Sequence, residues 1–367
     1  MTFSDRGATA AMGIKAHVLY SRLLKGEDYY ALLKCNSIAE IAAYLRSSES
    51  YGAAMQTIHA EHVHRIDLES AVRKSIMAHA ESMLFYMNGE RRTIFRNWLD
   101  WYDSENLKSL FRWIRSRRLS SEEMRQRLFP VPGSKIPYDM LLASRNFAEA
   151  HEALRDTKYY LPMEAAIGRL AENEQSLFSL ELAIDNITES SVYKALLELS
   201  DPERTLLRSF FGTQIDLQNI YILVRCLLYY GMSLEETLSR LLPVKYKIKM
   251  RHLREIARGT TWEERLARLG EFSPLYAKIF GVGLETPDFE LAMEISMKRF
   301  NYLKALKIFH TGPPGFHTAM AYCLLKAFEL DDVIKMIEDV RYDYDRRSAA
   351  QYLIRPVLAE EGVAAWR

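Results

Sequence analysis

The chain has 367 residues, with 49 Lys plus Arg against 48 Asp plus Glu and a net charge of +1, a balance that argues against a whole-chain grip on nucleic acid. The 16 glycines and 11 prolines are few for a doubly wound sheet or a barrel, and the three cysteines (35, 226 and 323) make neither a disulfide scaffold nor a thiolate zinc site and point to a reducing compartment. An apolar share of 49% can fill a core, and the length favours two or three domains.

The first residues, MTFSDRGATAAMGIK, carry Asp5 early and lack an apolar run of signal-peptide length. The longest apolar stretch, YILVRCLLYYGM, holds a charge and is too short to span a bilayer. Around 65–118, apolar residues recur at three and four: Leu68, Val72, Ile76, Ala80 and Leu84, then Leu107, Leu110, Phe111 and Ile114. That period predicts amphipathic helices, with bends near Asn88–Gly89 and near Asp100–Asp103. Segments 164–199, 203–230, 287–310 and 316–342 have the same period. Breaks are expected at PVPGSKIP (130–137), Asp201–Pro202, GVGLETP (281–287) and TGPPG (311–315). Strand alternation is nearly absent, so the fold class is all-α. The aromatics Phe95, Trp98, Trp101, Tyr102, Phe111 and Trp113 mostly suit a core, as does Cys226.

One segment recurs at a spacing of 113. ENLKSLFRWIRSRRLSSEEMRQRLFP ends at Pro130, QNIYILVRCLLYYGMSLEETLSRLLP at Pro243, and DDVIKMIEDVRYDYDRRSAAQYLIRP at Pro356. Asn106, Asn219 and Asp332 share one column, and the apolar columns fall at i, i+3, i+4 and i+7 of a helix. Ser120 with Glu123 and Ser233 with Glu236 are matching capping boxes, each predicting a short helix that stops before the proline. A looser repeat runs before it: a short helix, a Tyr (51, 160, 276) and an acidic residue opening a long helix (Glu69, Glu181, Glu290). Each unit is about 110 residues, well above common solenoid periods, so the repeats are domain-sized lobes. The boundaries are 14–130, 131–243 and 244–356, with 357–367 as a C-terminal tail.

The sequence carries no G-x-x-x-x-G-K-[ST], no nucleophile elbow and no H-E-x-x-H. GVGLET lacks a strand before it and a Lys after it. No catalytic residue, cofactor or metal is assigned. HAEHVH (His59, His62, His64), with Glu61, His252 or His317, is the one metal-like cluster, and it reads first as surface or interface histidines. Two segments are basic, 91–127 and 245–268. In the second, Arg251, Arg254 and Arg258 share one helical face; both segments read first as a solvated face, then as a contact for an acidic protein partner, and last for anionic lipid headgroups or nucleic acid.

At SRLLKGEDYYALL with AEIAAYLRSSESY, at QIDLQNIYILVRCLLYYGMSLEETLSRLLP and at FHTAMAYCLLKAFELDDVIKMI, the chain resembles the C subunit of the archaeal and bacterial V-type (A-type) ATPase, related to the eukaryotic d subunit. The family pattern of an acidic residue, Asn and Arg maps onto Asp216, Asn219 and Arg225 and onto Asp103, Asn106 and Arg112. The third copy keeps Glu329 and Asp332, but Glu338 replaces the Arg. The resemblance implies three similar helical lobes in a pseudo-threefold funnel around a central opening. It implies a non-catalytic central-stalk subunit on the cytoplasmic face of the membrane, peripheral and without a span of its own. Its partners would be the central shaft subunits and the membrane proteolipid ring, in a machine that pumps protons or sodium or makes ATP. The basic N-terminal stretch of the family is reduced here to GIKAHVLY, with Lys15 and His17. Candidate partner contacts are Arg112, Arg225, Glu338, Arg251, Arg254, Arg258 and Lys15. Asn106 and Asn219 have a competing, preferred reading as caps at a helix start. The alternatives are a helical scaffold or adaptor of another assembly and an all-helical enzyme using the His cluster.

Overall fold

The computed structural model describes residues 3–58, 63–172, 177–199, 203–282, 288–342 and 346–356. Among them there are helices and turns and no strand. After α1 (Phe3–Ser21), one order of elements recurs three times. The first copy has short helices α2 (Gly26–Leu33) and α3 (Ile38–Ser47), a 3-10 turn at Ala54–Thr57, long helices α4 (Arg65–Leu84) and α5 (Gly89–Ser116), and short α6 (Ser121–Arg127). The second has α7 (Tyr138–Ala143), α8 (Phe147–Ala153), α9 (Tyr160–Glu172), α10 (Leu177–Leu196), α11 (Glu203–Val224), a π turn at Arg225–Tyr229 and α12 (Leu234–Ser239). The third has α13 (Met250–Ala257), α14 (Trp262–Phe272), α15 (Pro274–Phe280), α16 (Phe289–Phe309), α17 (Phe316–Tyr342) and α18 (Arg346–Gln351).

The expected caps are present. The Ser120 and Ser233 hydroxyls accept from the N–H of Glu123 and Glu236, whose carboxylates accept the serine N–H in return at 2.8 and 2.9 Å. Each box satisfies donors that a helix start would otherwise leave unpaired. Ser37, Asn146, Thr261 and Ser273 cap α3, α8, α14 and α15 in the simpler way. The break after Leu84 falls where Asn88–Gly89 predicted it, with Gly89 at φ +52°. The bend expected near Asp100–Asp103 does not exist: α5 runs unbroken from Gly89 to Ser116. An Asp weakens a helix by competing for nearby backbone groups, and the carboxylate of Asp103 is instead engaged by Ser134 and Tyr138.

The chain divides into two compact units, Met1–Met12 with Cys35–Leu199, and Gly13–Lys34 with Ser200–Arg367. In the first, α5 packs along α10, and Leu107, Leu110, Phe111 and Ile114 close a core with Leu141, Ala150, Met163, Leu180 and Ile184. Phe95, Trp98, Tyr102 and Trp113 are buried in the same unit. In the second, α16 pairs with α17 around buried Met293, Phe309, Phe316, Met320 and Tyr322. The far half of α1 lies on this hairpin. Tyr20 stacks on Phe309 at 4.2 Å, and Gly13 approaches Pro314 so closely that a Cβ would sit 2.6 Å from it. All three cysteines are buried and none forms a disulfide.

Candidate partner-contact sites

The acidic and Asn columns of the repeat lie inside long helices, not at their starts. Asn106 sits well within α5 and Asn219 within α11, so neither caps its own helix. Each instead reaches sideways to a later segment. Asn106 binds both backbone groups of Phe129, accepting its N–H at 2.8 Å and donating to its carbonyl at 2.9 Å. One turn earlier, Asp103 accepts from the Ser134 hydroxyl at 2.8 Å and the Tyr138 hydroxyl at 2.5 Å. Tyr138 also accepts from Asn106 at 2.9 Å. Burial outweighs these donors and pushes the Asp103 carboxyl up to about 6.

The second copy uses backbone donors. Asp216 accepts the N–H groups of Tyr246, Lys247 and Ile248 at 3.0, 2.8 and 3.1 Å, and the Tyr276 hydroxyl lies 3.3 Å away. Burial raises this carboxyl too. Gly212, one turn before it, makes room for the Tyr246 ring, which lies 2.5 Å from where a Cβ would stand. Asn219 donates to the carbonyls of Ile215 and Val244 at 3.0 and 3.3 Å.

In the third copy Asp332 accepts from Ile354 and Arg355 N–H at 2.6 and 3.0 Å. Arg355 lies 23 residues after Asp332, as Phe129 lies 23 after Asn106. Burial lifts the Asp332 carboxyl to about 7. Glu329 accepts the Leu24 N–H at 2.6 Å, across 305 residues of sequence, and binds the fully buried Lys326 at 2.8 Å. Burial lowers the Lys326 pKa, and the Glu329 carboxylate opposes that shift. Arg355 also donates to the Leu24 carbonyl. Leu24, Glu329, Asp332 and Arg355 border a cavity of about 230 Å³ with Tyr20, Tyr29, Tyr302 and Phe328. At the start of α17, the Phe316 N–H donates to Glu203, the first residue of α11 and its counterpart 113 residues earlier.

The charged candidates differ in their surroundings. Arg112 meets Glu181 of α10 at 2.6 Å, and Arg225 meets Glu290 of α16 at 2.8 Å. The acidic residue near the start of each of these long helices is therefore the partner of an arginine on the preceding repeat. Beside them, Lys108 holds Glu105 and Asp185 at 2.5 and 2.8 Å; burial opposes its charge, but the two carboxylates win and raise its pKa. Arg112 belongs to the first unit, and Arg225 and exposed Glu338 to the second. Lys15 is half-buried on α1. Arg251, Arg254 and Arg258 do share an exposed face, on α13, and Arg258 pairs with Glu255 at 2.6 Å. Of the histidine cluster, His59, Glu61 and His62 lie outside the described residues. His252 stacks on Phe272, and His317 lies 2.8 Å from the Thr311 carbonyl.

Sequence reasoning found the acidic and Asn columns but not what they hold. Ser134 and the backbone of residues 246–248 sit in connections with no periodic signal, Tyr138 is the first residue of the short α7, and Leu24 contributes only its peptide group.

Comparison with known proteins matches residues 15–352 to the family described as ATP synthase (C/AC39) subunit. Proteins named as the C subunit of A-type ATP synthase are similar to the chain. That of Methanosphaera stadtmanae is 26% identical over 204 residues, 56% of this chain and 50% of that protein. That of Methanothermobacter thermautotrophicus is 25% identical over 238 residues, 64% of this chain and 58% of that one. The chain thus spans little more than half the length of these two relatives. The Halobacterium salinarum protein is 24% identical over 323 residues, 84% of this chain and 87% of that one. With the family match running through all three copies of the repeat, the chain belongs to the ATP synthase (C/AC39) subunit family.

Proposed function

We propose that the chain is a non-catalytic subunit of a rotary V/A-type ATPase, on the cytoplasmic face of the membrane, where it couples the central shaft to the membrane proteolipid ring. The observation that carries this reading is the family match over residues 15–352. Among the described residues no helix is long and apolar enough to cross a membrane, so attachment would come through partners or the surface. In this reading the three copies, 14–130, 131–243 and 244–356, are three lobes around an opening that receives the shaft.

A torque link needs stiff joints. The clasps on α5, α11 and α17 supply them: each fixes a connecting segment to a long helix through several buried hydrogen bonds, which resist bending more than apolar contact alone. Arg112 and Arg225 then act as polar contacts to the shaft from positions already held by Glu181 and Glu290, with Glu338 breaking the symmetry. Lys15 and the basic face of α13 are further contacts.

Purification of the complex through a tag on this chain at native expression should bring down shaft, ring and nucleotide-binding subunits in fixed ratio. Recovery of an unrelated assembly would make the chain a helical adaptor instead. Arg112→Glu with Arg225→Glu should abolish shaft binding in a folded chain. Glu181→Gln with Glu290→Gln breaks the same internal pairs without reversing charge and should leave binding largely intact. Equal effects would assign the arginines to internal packing alone.

A further inference from the structure

The three short helices that open the copies differ in charge. Residues 244–258 hold six Lys or Arg and one carboxylate, a net of +5, whereas the matching windows 132–146 and 20–34 each come to +1, from two bases and one acid and from three bases and two acids. Only α13 therefore carries a basic stripe. Its apolar side is already used, with Leu253, Ile256 and Ala257 buried. Lys247, Lys249, Arg251, Arg254 and Arg258 are exposed. Arg258 is taken by Glu255, but neither Arg251 nor Arg254 has a carboxylate partner among the described residues. Asp216 pins the backbone of residues 246–248 that leads into the stripe, so the cations stand on a fixed base. Beside it, Phe272 stacks on His252 at 4.5 Å, and Phe272 and Leu275 remain exposed.

This composition distinguishes between occupants. A stable protein interface has a core depleted of charge and a polar rim. Here the centre is cationic, and the apolar side chains stand at the edge. A layer of anionic headgroups suits such a surface: each basic group near it adds attraction, and an aromatic at the border enters the interfacial zone. We propose that the α13 face of this chain docks on anionic lipid headgroups. The inference deepens the partner-contact role given above to Arg251, Arg254 and Arg258, and rests on that reading of this face.

The test is co-sedimentation of the full chain with vesicles of phosphatidylcholine alone and of an equal mixture with phosphatidylglycerol. Binding is expected only to the mixture, with loss at high salt because the Debye length contracts. Arg251→Glu with Arg254→Glu should weaken it by roughly 30-fold or more, taking about a factor of five per basic group. Both side chains are exposed, so the fold should survive, which circular dichroism checks. Phe272→Ala should weaken binding less. Equal binding to both vesicle types, an unchanged Arg251→Glu/Arg254→Glu variant, or displacement from vesicles by poly-glutamate or transfer RNA at equal charge would overturn the lipid assignment. If that variant still co-purifies with the rotary complex but no vesicle binding is seen, this inference fails while the proposed function stands.

Discussion

The first and third clasps occupy the same turn of equivalent helices, yet they close differently. In the first, Asp103 and Asn106 hold a segment that follows directly in the chain, through the hydroxyls of Ser134 and Tyr138 and the backbone of Phe129. In the third, the acidic residue reaches a segment far earlier in the chain. Glu329 takes the Leu24 N–H near the start of the chain, and its longer side chain also neutralises Lys326. The same device thus serves as a local joint in one place and as a long-range closure in the other. The closure depends on a charge pair with no exposure to water at Lys326.

That dependence sets the largest expected effect. Glu329→Ala leaves a buried ammonium without its partner and the Leu24 N–H without its acceptor, a loss of about 3–5 kcal/mol. Denaturant unfolding should show it, and hydrogen exchange should accelerate at Leu24 before other amides of the second unit. Asp103→Ala strands two hydroxyls, which can rotate toward other acceptors, and should cost about 1–3 kcal/mol. If Asp103→Ala proves the more damaging, the long-range closure carries less of the fold than its burial implies.

Much of this architecture was legible in the sequence. The helical period, the order of elements, the two capping boxes and the Asp, Asn and Glu columns all show in one register, because helix faces and caps are written in side chains at fixed spacing. What the columns hold was not legible, since the donors are peptide groups at Tyr246–Lys247–Ile248 and at Leu24, which any residue supplies. Asp103 was misleading for the same reason: its chemistry suggested a bend until the distant hydroxyls that occupy it were known. Arg112 and Arg225 were visible as a column, but their pairing with Glu181 and Glu290 needed the packing of two helices from successive copies.

The Asp332 position sharpens the comparison further, because the first two copies carry Asn there. Burial holds the Asp332 carboxyl up to about 7, above its ordinary value of 3.8. Between those values the native state keeps a proton that the unfolded chain has released. Stability from this group is therefore full below pH 4, falls as pH rises toward 7 and levels off above it. Asn106 shows that an amide can bind both backbone groups of the residue 23 positions later. Asp332→Asn should thus cost only about 1 kcal/mol at low pH. It should also flatten the loss of exchange protection, corrected for the intrinsic rate, between pH 4 and 7 at Ile354 and Arg355. A slope that persists in the variant would move the titration to another group.

The smallest effects come from the helix ends beyond the clasps. Ser120→Ala and Ser233→Ala should each cost about 1 kcal/mol, and equally, because the boxes match. The ends of α5 and α11 themselves differ by one residue. Arg117 turns left-handed at φ +48°, whereas in the second copy Gly231 does so at φ +56°, 114 residues later, because the π turn at Arg225–Tyr229 absorbs an extra position. A non-glycine in that region costs about 1 kcal/mol. Arg117 offsets it by lying 4.2 Å over the Trp113 ring and donating to the Ser144 carbonyl. Arg117→Gly removes strain and contacts together, so the net change should stay within about 0.5 kcal/mol. Arg117→Ala keeps the strain and loses the contacts, and should be the less stable of the two by about 1 kcal/mol. If the two variants unfold at the same denaturant concentration, the left-handed turn is unstrained and the extra residue in α11 has a different cause.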